Sequence, residues 1–155
     1  MRVMIAAVGR PRDQALAAAI RDYETRAARY WPIEIVEVRG ERGDSATPPS
    51  AVRAREGDRL RQRIGSAATT VACDATGQSM SSERFAAWLQ AEREAARDVV
   101  FMIGGAFGLD DGLRDDARVR LSLAPWTLPH ELARLVLAEQ LYRAGTIVRG
   151  EPYHK

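Results

Sequence analysis

Apolar residues fall along this chain in two alternating rhythms. "RVMIAAV" (2–8) is apolar from Val3 onward, the pattern of a strand buried on both faces. From Asp13, a suitable N-cap, Leu16, Ile20 and Tyr23 follow helical spacing to about Tyr30, and Pro32 stops the element. "IEIVEVR" (33–39) alternates as a half-buried strand does. "GERGDSATPPS" (40–50) collects turn formers and reads as a loop. Helical spacing resumes from about Ser50 to Ile64, and "TTVACD" (69–74) is a third strand. Ser81 or Ser82 caps a helix running through Phe85, Trp88 and Leu89 to about Ala96. "DVVFMI" (98–103), a short helix near Leu113 and "RVRLSLA" (118–124) come next. A last helix starts at Pro129 or His130 and ends near Ala144 or Gly145, before a tail "TIVRGEPYHK".

Strands alternating with helices predict an α/β fold, a mostly parallel sheet flanked by helices, here in one domain over residues 1–155. Ligands of such sheets sit beyond the C-terminal strand ends. Three loops fall there: "DATG" (74–77), "GGAFG" (104–108) and "APWTLPH" (124–130). The last helix carries Leu132, Leu135, Val136, Leu137, Ala138 and Leu141 most of the way round its circumference. That calls for burial on nearly all sides, either within the core or against a second subunit.

Composition narrows the chemistry. With 46% hydrophobic and 28% charged residues and a net charge of +2, the chain has an ordinary globular balance. No apolar run approaches the roughly 18 residues of a membrane span, and the first is too short for a signal peptide, so cytoplasm is the expected compartment. A lone Cys73 precludes an internal disulfide; next to Asp74, it reads as a small buried hydrophobe rather than a nucleophile. With only His130 and His154 available, no metal site is expected, and "HELAR" lacks the second His of a zinc hydrolase. G-x-G-x-x-G after the first strand, G-x-x-x-x-G-K-S/T and G-x-S-x-G are all absent. Lys155 is the only Lys among 23 basic residues, and Arg53, Arg55, Arg59, Arg61 and Arg63 crowd the second helix. Two readings stand: a solvated helix face, or forks aimed at phosphate.

The dense glycines of "FMIGGAFGL" (101–109) carry an entropic cost, so a sharp turn or a close approach must require them. With "TLPHELARLVLAEQLYRA" (127–144) and the terminal "EPYHK", this stretch resembles the ribosomal RNA large subunit methyltransferase H family of the SPOUT superfamily. "MRVMIAAVGR", "YWPIEIVEV" and "ACDATG" extend the resemblance over the whole chain. The resemblance implies a homodimer with a C-terminal trefoil knot that binds S-adenosylmethionine there. It implies methylation of N3 of a pseudouridine in 23S rRNA, with the assembled 70S ribosome as partner and substrate.

By the same resemblance, Cys73, Asp74, Gly104, Gly105 and the run Ala124, Pro125, Trp126, Thr127, Leu128 and Pro129 contact the cofactor. Gly104 and Gly105 would leave main chain open to adenosine, while Gly108 serves the turn. His130 and His154 are candidates to orient the base or accept its proton, with Tyr153 beside them as a third catalytic candidate. Arg143, Tyr153, His154 and Lys155 are candidate RNA contacts, Tyr153 by stacking and Lys155 on phosphate. Cys73 stands where Leu is usual and Ala124 where Ser is common. Alternatives are a catalytically silent ribosome- or RNA-binding dimer, a SPOUT methyltransferase acting on another RNA, and a nucleotide-phosphate binder using the GGAFG loop.

Overall fold

The computed structural model describes residues 1–42, 46–65 and 68–154, with only the backbone of His154. Among the described residues, five strands alternate with five α-helices: β1 (Val3–Val8), α1 (Gln14–Ala27), β2 (Ile33–Val38), α2 (Pro49–Arg61), β3 (Thr69–Ser79), α3 (Ser82–Glu94), β4 (Val99–Ile103), α4 (Asp111–Asp116), β5 (Val119–Ser122) and α5 (His130–Val148). A 3-10 turn, Pro152–His154, follows. The strands form one sheet in the order β2-β1-β4-β3-β5, and every pairing is parallel.

Alternate residues of the central strands supply two cores. Val3, Ile5, Val71, Val99 and Phe101 pack with Trp31, Phe85, Leu89, Leu137 and Leu141, so α1, α3 and α5 cover one face. Ala6, Val8, Ala72, Val100 and Met102 meet Leu60 and Leu113 of α2 and α4 on the other. All five residues of β4 are buried, as an unbroken apolar run predicts for a central parallel strand. β2, at the edge, leaves Glu34 and Ile35 exposed. Asp13 and Ser81 cap α1 and α3, accepting hydrogen bonds from the amides of Leu16 and Arg84.

Three expectations about elements change. "DATG" does not follow β3 but lies within it: Cys73 and Gln78 both pair with Leu121, so residues 74–77 bulge from the ladder and return. α5 runs through Gly145 and Thr146 to Val148, taking in the start of the expected tail. Gly145 ends nothing: a Cβ there would lie 2.3 Å from Cγ of Tyr30, so it lets α1's C-terminal turn pack on the helix. The apolar circumference of α5 is used largely within the chain, with Leu137, Ala138, Leu141 and Ala144 buried against α1 and α3. Leu132, Leu135 and Val136 stay half-buried.

Candidate functional site

The three loops converge at the C-terminal end of the sheet around a cleft of about 280 Å³. Its lining includes Cys73 and Asp74 from β3, Gly104 and Gly105 after β4, and Ala124, Trp126, Thr127 and Leu128 after β5. His130, the first residue of α5, closes one side. Pro125 and Pro129 are exposed and outside the lining. Ile103, Leu109, Leu123 and Ala133 add apolar wall, and Ala75 and Thr76 complete the bulge. The apolar wall residues carry no polar chemistry that would have marked them in the sequence.

The glycines answer to the protein before any ligand. A Cβ on Gly104 would lie 2.3 Å from the carbonyl carbon of Gly108 and 2.4 Å from the amide nitrogen of Leu109. A Cβ on Gly105 would lie 2.8 and 3.1 Å from the two carboxylate oxygens of Glu56. Gly104 is therefore required by the close approach of backbone within the fold, while at Gly105 a side chain would make the Glu56 carboxylate shift. Gly108, at φ +84°, is the turn residue expected, and its amide donates to the carbonyl of Gly105 at 3.0 Å.

The polar groups divide sharply. Burial, with Asp74 adding to it, pushes the Cys73 thiol up to about 12, so it is a neutral wall. Burial also raises the Asp74 carboxyl, but hydrogen bonds from the Thr76 hydroxyl and amide, with Arg114 and Arg120 nearby, outweigh it. Asp74 is thus held below the usual carboxylate range and is an anion inside a largely apolar cleft. His130 has a part-exposed side chain, with Nε2 3.9 Å from Oε1 of Glu131. Oε1 of Glu131 accepts the Arg12 amide at 2.9 Å, which ties the β1–α1 loop to the start of α5.

Tyr153 and Arg143 lie away from the cleft. Tyr153 packs on Tyr142 at 4.5 Å between ring centres, its hydroxyl 3.3 Å from that of Tyr23 and donating to Glu139 at 3.1 Å. Burial first, then Tyr23 and Glu139, raise its phenol well above the ordinary value, so it holds its proton at neutral pH. Arg143 binds Glu139 and lies over the Tyr153 ring at 4.9 Å. Neither residue lines the cleft. The side chain of His154, and Lys155 entirely, lie outside the described residues. The arginines of α2 are largely answered by acids: Arg53 by Asp111, Arg55 and Arg59 by Glu41, and Arg61 by Asp58 and Asp110. This favours the solvated-face reading of that cluster. Among the described residues there is no cluster of metal-ligating side chains, and no helix is long and apolar enough to cross a membrane.

Residues 1–154 match the family described as predicted SPOUT methyltransferase. The chain is 59% identical to a ribosomal RNA large subunit methyltransferase H from Gemmatimonas aurantiaca over 155 residues, covering all of both proteins. It is 42% identical to the protein of that name from Pelobacter propionicus, over 99% of each chain. Among solved structures, a probable methylase family protein from Haemophilus influenzae aligns with a TM-score of 0.56 at 13% identity, over 99% of this chain and 70% of that one. A probable methyltransferase from Bordetella pertussis aligns at 0.55 and 16% identity, over 92% and 95%. These two likenesses are of fold.

Proposed function

The chain belongs to the SPOUT methyltransferase family, and from that premise we propose that it methylates large-subunit ribosomal RNA with S-adenosylmethionine as donor. The target is N3 of a pseudouridine in 23S rRNA, on the assembled 70S ribosome in the cytoplasm. The working form is a homodimer, each protomer a single domain with a C-terminal trefoil knot. The observation that carries this reading is the convergence of the bulge, the glycine turn and the run before α5 on one cleft.

The cleft's chemistry fits the donor. Its apolar walls at Ile103, Leu109, Leu123 and Leu128 suit an adenine, and the anionic Asp74 complements a cation. Cys73, Asp74, Gly104, Gly105, Ala124, Thr127 and Leu128 would hold it, with the exposed Trp126 as an outer wall. When bound, it supplies an electrophilic methyl group on a sulfonium. What remains for the protein is alignment of N3 and removal of its proton. His130 is the cleft residue able to accept that proton at a ring nitrogen, directly or through one water. In the dimer, the tail with Tyr153 and His154 serves the partner's cleft, with Arg143 and Lys155 on the RNA. Tyr153 there stacks on RNA rather than taking a proton, because it stays a phenol.

Methyl transfer from labelled S-adenosylmethionine to unmethylated 70S ribosomes tests the reading, with ribosomes lacking the target pseudouridine as control. Label in 23S rRNA that depends on the pseudouridine is expected. No label from a folded protein would refute the substrate and favour a silent binder or an enzyme of another RNA. A monomer by light scattering at micromolar concentration would refute the dimer.

A further inference from the structure

A second cavity, about 680 Å³, lies beside the cleft and shares Gly105 and His130 with it. On its floor is Glu56, 5% exposed, from the middle of α2. One oxygen, Oε1, accepts the Glu41 amide at 2.9 Å. The other, Oε2, is the only buried side-chain oxygen or nitrogen among the described residues that has no hydrogen-bond partner. It lies 2.8 Å from where a Gly105 Cβ would be, against the wall common to both cavities. A buried carboxylate oxygen left unpaired is costly, and helix α2 would lose nothing in propensity with Gln or Leu there. Its position therefore points to a donor that arrives from outside.

The rim is mostly of the opposite sign, because its acids, Glu37 and Glu41, are paired with Arg10 and Arg134 and with Arg55 and Arg59. Arg12, Arg39 and Arg42 line the cavity, and none has an ion-pair partner among the described residues, unlike the arginines of α2. An acceptor at the floor and guanidinium forks at the mouth match a nucleotide, with an N–H on its base and phosphate oxygens outside. Resting on the methyltransferase reading above, we propose that this cavity receives the target nucleotide and that Glu56 is a specificity-determining residue. Its Oε2 accepts N1–H, the donor that pseudouridine carries and uridine lacks. N3 of the same ring faces the cofactor cleft past Gly105 and His130. A site that pairs a buried acceptor with a substrate N–H discriminates strongly against the analogue without it.

The test compares wild type and Glu56→Gln, which keeps the shape and an oxygen for the Glu41 amide. Single-turnover methyl transfer is followed on 70S ribosomes with pseudouridine or with uridine at the target position, and S-adenosylmethionine affinity is measured by calorimetry. The expected result is a roughly 10- to 100-fold slower transfer to pseudouridine, with the uridine rate and cofactor affinity unchanged within about threefold, so that the preference collapses. An unchanged pseudouridine-to-uridine ratio would overturn the proposal while leaving the methyltransferase reading intact. Wild-type protein inactive on both ribosomes would instead remove the parent reading, and this one with it. Should Glu56→Gln not fold, Arg12→Glu with Arg42→Glu decides. A raised ribosome KM with cofactor affinity unchanged supports the nucleotide cavity, and an unchanged KM overturns it.

Discussion

Replacing Gly145 with Ala sets two rules of helix energetics against each other. Gly145 lies inside α5, where Ala is intrinsically better by about 1 kcal/mol. The added methyl, however, would sit 2.3, 2.5 and 2.7 Å from Cγ, Cβ and Cδ2 of Tyr30. Tyr30 has little room to yield. Its hydroxyl donates to Oε2 of Glu151 at 2.5 Å, its ring lies 5.9 Å from Tyr142, and the Arg149 guanidinium is 4.7 Å above it. Overpacking of this kind costs about 1–3 kcal/mol, and losing a part-buried hydrogen bond to a carboxylate adds about 1.5 kcal/mol. Less the propensity gain, Gly145→Ala should destabilise the protein by about 1.5–3.5 kcal/mol. For a chain of this size that is a fall in Tm of about 3–14 °C in a calorimetric or circular-dichroism melt. In a Tyr30→Gly background, which removes the Cβ along with the ring, the obstruction is gone, and the same change should raise Tm by about 2–4 °C. A Tm raised or unchanged by Gly145→Ala in the wild-type background would refute the packing argument.

Three further outcomes follow from buried or perturbed groups. Arg134, 5% exposed, donates from Nε to Glu24 at 2.8 Å and from Nη1 to Glu37 at 2.7 Å. Arg134→Ala strands Glu24 and leaves Glu37 with Arg10 alone, and should cost about 3 kcal/mol in urea unfolding, while a loss under about 1 kcal/mol would contradict it. Hydrogen bonds from Arg97, opposed by burial and aided by Thr69, hold the buried Glu92 carboxyl below its ordinary value. A depressed folded value means stability is present above the unfolded value of about 4.3 and lost as pH falls through the folded one. Glu92→Gln should therefore lower Tm at pH 7 and flatten its decline in acid, while an acid decline as steep as wild type's would count against this assignment. Cys73, its thiol pushed up to about 12, is thiolate to only about one part in 10⁴ at pH 8. Mass spectrometry after iodoacetamide treatment of the folded protein should find it unmodified, and rapid alkylation would show that the thiol is not desolvated.

The sheet was legible because its strands are apolar runs punctuated by caps and prolines. Asp13 and Ser81 each act where their chemistry puts them, whereas α1 ends at Ala27, before Pro32 can stop it. What misled was glycine. Gly145 reads as a stop, yet it is a contact surface for a residue 115 positions earlier, which no local pattern encodes. At Gly104 and Gly105 a side chain would meet Gly108 and Glu56, an approach that no local pattern encodes. The bulge escaped because "DATG" looks like any turn until β5 is laid beside it. Glu56 was hidden for a different reason: one acid among charged residues in "RAREGDRLRQR" gives no sign that it alone turns inward.

The bulge in β3 has a consequence for how the fold can change over time. Because Cys73 and Gln78 meet the same residue, Leu121, the strand leaves its ladder and re-enters it without advancing the pairing. The length of the excursion is thereby uncoupled from the alignment of everything that follows. Re-entry is fixed at Gly77, where a Cβ would lie 2.7 Å from the backbone of Arg120. Between Cys73 and Gly77, residues can be gained, lost or exchanged without turning one core side chain to the wrong face. The wall of the cleft is thus a separately variable part, attached to a frame that does not register the difference.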